Sequence, residues 1–337
     1  MFYIFEMANN HMGDIPHAEK IIKSFGNIAK DKGLNAAIKF QFRQLDTFIH
    51  NDYKESDLKF VKRFSSTRLG KEDFERLSKY AKSVGLKVAA TPFDNESLVW
   101  IKDLDIDIVK VASCSADDWP LLKDLSDINK KIIISTAGVD LNHLKKVYSL
   151  FKGKQRDFSF MHCVGEYPTP PEVADLHRIN QMREEFPDIE IGFSTHESPE
   201  EKSLSPYAVA MGCTIIEKHV GVETENIKLN GYSNTPEQMK AQIEEVEFIQ
   251  QCLEGKSNEQ DATLKTLKRG AYINKDMSIG DVIAIDDIYF AMPVALGQAD
   301  ASNVDDEWGW VKRKNNIVGC KIKEPIAKDS SIMIENL

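Results

Sequence analysis

The chain has few cysteines and uses them sparsely. Cys114, Cys163, Cys213, Cys252 and Cys320 are the only five in 337 residues, and no CxxC pair occurs. An odd, widely spaced set excludes a disulfide framework or a zinc knuckle and fits reduced cytosolic thiols. No apolar run reaches the ~18 residues that a membrane span requires. The opening MFYIFEMANN stops being apolar at Glu6 and lacks a basic flank, so it is read as no signal peptide. A cytoplasmic location is expected. Positive charge is in deficit: 43 Lys and Arg stand against 53 Asp and Glu, for a net charge of −10. Such a surface repels phosphate backbones, so nucleic acid is not an expected partner. No Gly-rich dinucleotide turn follows the first strand-like segment, which argues against a doubly wound nucleotide fold. No low-complexity tract is present.

What is there alternates. Residues 3–7 read as a strand. Asp14 and Pro16 open a helix that stops near Gly33. Residues 36–41 are strand-like, and residues 51–70 read as a long polar loop with a short helix, in the position of a lid. Phe74, Leu77, Tyr80, Ala81 and Val84 fall on one helix face, as do Leu141, Leu144, Val147, Tyr148 and Phe151. Strands are expected at 86–90, 108–112, 132–134, 158–163, 189–193 and 214–220. Ser198-Pro199-Glu200-Glu201 and Thr235-Pro236-Glu237-Gln238 have the form of capping boxes with proline in the first turn. About eight strand-then-helix units precede residue 255, the period and length of a (β/α)8 TIM barrel, an α/β fold. Residues 1–255 are therefore assigned to a barrel and polar residues 256–265 to a linker. Residues 266–337, rich in short strands, form a small β-rich domain of a size that gains from packing on something else.

In a TIM barrel the chemistry sits at the C-terminal ends of the strands. Those ends carry Glu6, then Lys39 with Gln41, Thr91, Lys110 with Ser113, Ser135, His162 with Tyr167, His196, and Glu217 with His219. Residues two apart on a strand share a face, so Lys39 with Gln41, and Glu217 with His219, point together. Two desolvated lysines need anionic partners, and with nearby hydroxyls they suit a phosphate and a carboxylate. His196 and His219, on neighbouring strands, are placed to hold one divalent ion with open coordination positions. Glu6 and Glu217 are candidates for a ligand, a base or a water-holder. His162 is read as bonding backbone below the site, His11 as shaping the first loop, Cys163 as a packed thiol and Lys218 as facing away. Lys71-Glu72-Asp73 and Asp305-Asp306-Glu307 are read as solvated faces, and Trp308 with Trp310 as seating the small domain.

The stretch Phe5-Glu6-Met7-Ala8-Asn9-Asn10-His11-Met12-Gly13-Asp14 resembles the opening motif of the sialic acid synthase family. Lys39-Phe40-Gln41, Thr91-Pro92-Phe93-Asp94, Lys110-Val111-Ala112-Ser113, Ser135-Thr136, His162-Cys163, Glu166-Tyr167-Pro168, Ser194-Thr195-His196 and Glu217-Lys218-His219 follow in the family's order. Lys275-Asp276-Met277 through Gly280-Asp281 resembles the antifreeze-like (SAF) domain of these enzymes. The resemblance implies phosphoenolpyruvate held by Lys39, Thr91, Lys110, Ser113 and Ser135. It implies a manganese-like divalent ion, with Mg2+ or Co2+ as substitutes, on His196 and His219, and a sugar aldehyde as acceptor. Glu6 and Glu217 would manage water and the developing cationic centre. It further implies a domain-swapped homodimer and a role in surface polysaccharide biosynthesis. Three departures fall where the family reads its sugar. Thr195 replaces an acid, Ile227-Lys228-Leu229-Asn230-Gly231 carries none, and Met292 stands at an arginine position. N-acetylmannosamine is therefore not the expected best substrate. Two rival readings are a Schiff-base aldolase using Lys110 or Lys39, and a sugar-binding relative without turnover.

Overall fold

The computed structural model describes every residue except 256–263, 265–266 and 305–315. The chain divides into two compact units, Met1–Leu253 and Glu254–Leu337. In the first, strands and helices alternate: β1 (Phe2–Glu6), α1 (Ile15–Lys32), β2 (Asn35–Phe42), α2 (Leu45–Phe48), α3 (Lys59–Ser66), α4 (Lys71–Ser83), β3 (Lys87–Pro92) and α5 (Ser97–Asp103). Next come β4 (Ile108–Val111), α6 (Trp119–Leu125), β5 (Lys131–Ser135), α7 (Leu141–Gly153), β6 (Phe158–Cys163) and α8 (His177–Glu185). The unit ends with β7 (Ile191–Thr195), α9 (Ser205–Ala210), β8 (Ile215–His219) and α10 (Pro236–Glu254). The eight strands pair in parallel, each with the next, and β8 closes on β1. The α/β barrel expected from the sequence is the fold.

The caps follow from the sequence. Asp14 accepts a hydrogen bond from the backbone of His17 at 3.1 Å, and Gly33 takes the left-handed conformation (φ 63°) that stops α1. Thr235 and Gln238 make the reciprocal bonds of a capping box, at 2.9 and 3.3 Å, at the start of α10. The other expected box opens no helix. Ser198 and Glu201 close a turn, and α9 begins only at Ser205, with proline next to it. The reason lies in Glu197, whose buried carboxylate accepts from the backbone of Leu204 and pairs with Lys218, holding 198–204 as a loop. The stretch expected to be a loop with a short helix contains α3 and a 3-10 turn at Asn51–Tyr53.

Strand alternation sorts side chains into two shells. Outward residues such as Phe5, Phe40, Phe42, Val109, Ile134 and Phe160 form the main core with the helices. Inward residues are apolar only toward the N-terminal ends: Phe2, Ile4, Ala37, Ala89, Ile108, Ile133, Met161 and Ile215 make a closed floor. One step further along seven of the eight strands the inward residue is polar, Glu6, Lys39, Thr91, Lys110, Ser135, Ser194 and Glu217, and on β6 it is Cys163. The floor is a dry plug on which the polar layer rests.

The second unit holds an antiparallel pair, β9 (Gly270–Ile273) with β10 (Ile288–Ala291), and several isolated bridges. Ala271, Ile273, Met277, Ile283, Ile322, Ile326 and Ile332 are among its core residues. The Lys275–Asp281 motif makes its turns: Asp276 accepts from the backbone of Lys328, Asp281 from that of Ser278, and Lys275 pairs with Asp287. The linker expected at 256–265, residue 264 apart, and Asp305, Asp306, Glu307, Trp308 and Trp310 lie outside the described residues. Among the described residues no helix is long and apolar enough to cross a membrane.

Gly192 completes the floor by omission. A Cβ there would lie 2.9 Å from Ile215 Cβ, 3.0 Å from Ile215 O and 3.0 Å from Met161 Cε. The carbonyl belongs to a paired strand and cannot move aside. Gly192→Val is therefore expected to lower stability by about 2 kcal/mol, read as the shift of the urea midpoint. An unchanged midpoint would mean that the floor has room to spare.

Candidate active site

The register brings the polar layer together. Glu6 stands opposite Lys39 on one side and His219 on the other, and Ser194 stands opposite Glu217. Lys39 Nζ lies 2.5 Å from Glu6 Oε2 and 3.0 Å from Glu217 Oε2. Lys110 Nζ lies 3.4 Å from Glu217 Oε1 and donates to Ser135 Oγ at 2.5 Å. Ser194 donates to Glu217 at 3.0 Å, and the backbone of Ala8 donates to Glu6 at 2.6 Å. All four charged groups are buried, and together they make a neutral tetrad.

The tetrad separates its two acids. Burial raises the pKa of Glu6, and neighbouring Lys39 only partly opposes this. Burial also acts on Glu217, but Lys110 and Lys39 together overcome it and hold the carboxyl at about 2. Lys110 is lowered by burial, while Lys39, equally buried, is raised by Glu217 and Glu6. The same burial is thus overcome at Glu217, favouring its ionised form, and not at Glu6, favouring its protonated form.

Beside the tetrad the rings of His196 and His219 lie 5.3 Å apart. His196 is lowered well below its ordinary value by burial and by His219. His219 is brought to about 3 by burial and by Lys39. Both imidazoles are therefore neutral, the state that binds metals. His196 Nδ1 sits 3.2 Å from Val164 O, and a donor there leaves Nε2 as a free acceptor. The buried Nδ1 of His219 has no partner. The pair fits a divalent ion, although no group of three His, Cys, Asp or Glu is assembled among the described residues. Tyr167 packs on His196 at 4.3 Å and Tyr232 on His219 at 5.1 Å.

The remaining predicted residues divide. Thr91 Oγ1 is buried without a partner, an open donor in the mouth. Ser113 Oγ accepts from the backbone of Ala137 at 3.2 Å, and Gln41 Oε1 accepts from Arg43 at 2.9 Å. His162 faces outward and contacts Ala174 O at 2.8 Å, so it is structural, as expected. His11 is buried and accepts from the backbone of Gly13, shaping the first loop. Cys163 faces the interior, 3.9 Å from His196, with its thiol pushed up by burial: a packed thiol. Lys218 does face away, but it is not solvated, being buried against Glu197. Thr195, read as a sugar-side departure, also faces outward and bonds Glu197. It lies behind the site, because strand alternation puts it opposite Ser194 and His196.

Sequence reasoning missed two groups. Tyr232 arrives on an irregular segment tied down by the Val220–Asn234 bridge and by Asn10 donating to Ser233, and it carries no periodic signal. Arg43 lies between the rings of Phe64 and Phe93, 3.9 and 3.6 Å from their centroids, with its pKa drawn down to about 10 by burial. The segment read as a lid is tied down: Arg63 on α3 donates to Asn9 O at 3.2 Å, and Asn9 donates to Thr67 at 2.7 Å.

Comparison with known proteins agrees with the motifs. The NeuB family model matches residues 27–258. A Chromobacterium violaceum protein assigned to spore coat polysaccharide biosynthesis (protein E) has a similar structure. Its TM-score is 0.91 at 37% identity, over 99% of this chain and 98% of that one. The Mus musculus N-acetylneuraminate-9-phosphate synthase is 24% identical over 349 residues, covering 100% of this chain and 92% of its own. A Campylobacter jejuni pseudaminic acid synthase is 28% identical over 311 residues, 87% of each chain.

The neutral histidines set the acid limit of stability. Below pH 6.5 the unfolded chain takes up protons that folded His11 (about 4) and His219 (about 3) refuse, as does His196, which burial also holds low. Stability is unaffected above pH 6.5 and falls as pH drops from 6.5 toward 4, by at most ~1.4 kcal/mol per imidazole per pH unit. Urea denaturation at pH 7.5, 6 and 5 should show this slope, and His11→Asn should make it shallower. Equal slopes in both proteins would contradict a neutral, buried His11.

Proposed function

The chain belongs to the NeuB family of sialic acid synthases, and on that premise we propose that it condenses phosphoenolpyruvate with a sugar aldehyde. The products are a nonulosonic acid and inorganic phosphate, and the setting is surface polysaccharide biosynthesis. The observation that carries this reading is the buried Glu6–Lys39–Glu217–Lys110 tetrad beside two neutral histidines. The antifreeze-like nature of the second unit belongs to the same proposal, supported by the Lys275–Asp281 turns.

In this reading Lys39 and Lys110, with Thr91, Ser113, Ser135 and Gln41, bind the phosphate and carboxylate. Carbon 3 of phosphoenolpyruvate bonds to the aldehyde carbon, and the aldehyde oxygen takes a proton to become a hydroxyl. Carbon 2 becomes electron-poor, water adds there and loses one proton, and the carbon–oxygen bond to phosphate then breaks as the new hydroxyl gives its proton to the departing phosphate and becomes the ketone oxygen. Glu217, held ionised, stabilises the positive carbon 2. Glu6, whose pKa is raised, takes up the proton released by water. Lys39 links the two acids, so a substrate anion that draws on Lys39 also makes Glu6 more basic. Tyr167 and Tyr232 cover the histidines and limit access of bulk water. A divalent ion, manganese or a substitute, would be held by His196 and His219 and when bound supplies Lewis-acid polarisation of the aldehyde oxygen.

A second reading has one observation in its favour. Lys110 is buried with a lowered pKa, as a Schiff-base amine would be. Borohydride trapping in the presence of a keto acid separates the two.

Phosphate release from phosphoenolpyruvate should depend on an aldose and on a divalent metal, and a chelator should stop it. Lys110→Met should lower kcat/KM by ~100–1000-fold. Aldose-independent or chelator-resistant release would sink the condensing mechanism, and a trapped Lys110 adduct would replace it with the aldolase one.

A further inference from the structure

Lys39 and Lys110 have their charges balanced inside the tetrad. Arg43 does not. Among the described residues it makes no ion pair. Glu6 and Asp94, the carboxylates nearest in electrostatic effect, are occupied: Glu6 by Lys39 and Ala8, Asp94 by the backbones of Gln44 and Ser97. Cys114 is the remaining group in range. Of the other described arginines without an acid, Arg63, Arg156, Arg178 and Arg183 tie down backbone carbonyls and Arg269 lies near the ring of Phe290. Arg43 instead donates to the side chain of Gln41, and its Nε is buried with no acceptor.

Geometry restricts what Arg43 can do. Phe64 and Phe93 cover the two faces of its guanidinium, so only the edge is open to partners. A planar fork acting through its edge suits a carboxylate or a phosphate, taken by two parallel hydrogen bonds. Arg43 also lies four residues beyond Lys39 on the same run of chain, about 13 Å further along at strand rise. It stands at the outer rim of the layer assigned to phosphoenolpyruvate, meeting it through Gln41 Oε1 at 2.9 Å, and the far end of an acceptor would lie beyond that rim.

We propose that Arg43 is a specificity-determining residue that binds an anionic group, carboxylate or phosphate, on the acceptor aldose remote from its aldehyde. This rests on the condensing reading and narrows its substrate class from neutral sugars to charged ones. The uncompensated guanidinium is retained at the expense of stability, as binding groups often are.

The test reads binding without turnover. Protein saturated with phosphoenolpyruvate is titrated by calorimetry with mannose, mannose 6-phosphate and mannuronate. The wild type should bind one anionic probe at least 10-fold tighter than mannose, and the two anionic arms tell phosphate from carboxylate. Arg43→Gln should erase that preference, leaving mannose and phosphoenolpyruvate binding unchanged and the melting temperature no lower. Arg43→Lys should keep part of the preference. Equal binding of all three probes by the wild type overturns the proposal, and so does an Arg43→Gln protein that melts lower or loses mannose as well. A wild type that does not bind phosphoenolpyruvate would instead defeat the condensing reading, whatever Arg43 does.

Discussion

The ion-paired layer of Glu6, Lys39, Glu217 and Lys110 is the constraint on which the rest of the barrel mouth depends. Four charges withdrawn from water are costly singly and tolerable only as a paired, hydrogen-bonded set. Their positions are therefore fixed by one another. Glu6 and Lys39 are register partners on β1 and β2, and Glu217 reaches from β8 across to lysines on β2 and β4. A strand slipped by one residue would turn its charged member into the helix layer. The tetrad thus selects the register that also builds the site.

The same layer explains the histidines. Lys39 and Lys110 raise the cost of protonating His219, and His219 in turn raises that of His196. A cationic neighbourhood that keeps imidazoles neutral is also one that a divalent ion enters only with help from the acids. Glu6 and Glu217 are the acids beside the histidine pair that could supply that compensation. The site is neutral when empty and has the donors to receive a second set of charges, positive on the histidine side and negative on the lysine side.

Much of this was legible in the sequence because strands speak in a period of two. The polar strand ends named the tetrad and the histidine pair, and alternation put Lys39 with Gln41 and Glu217 with His219. The same rule, applied to Thr195, would have sent it outward behind the site. Its pairing with Glu197 shows that a motif position can differ from a family without touching the substrate. Tyr232 was hidden because an irregular loop has no period to read. Arg43 was hidden because its meaning lies in what it lacks, and an absent acidic partner is visible only once the neighbours are in place. The second capping box failed for a related reason: a buried ion pair from Glu197 to Lys218 overrode a local helix signal.

Floor and mouth impose opposite demands on the same short strands. Below, Ile4, Ala37, Ile108, Ile133 and Ile215 with Gly192 must fill space without polar atoms. Above, the next inward residue is polar on every strand but β6, and the charged ones are paired. The dry floor lowers the local dielectric under the tetrad, which strengthens each pairing and makes each unpaired group dearer. That is why Arg43 stands out. The four charges nearest the floor are compensated, whereas Arg43, further along β2's run, has no ion pair among the described residues and lies between two aromatic rings.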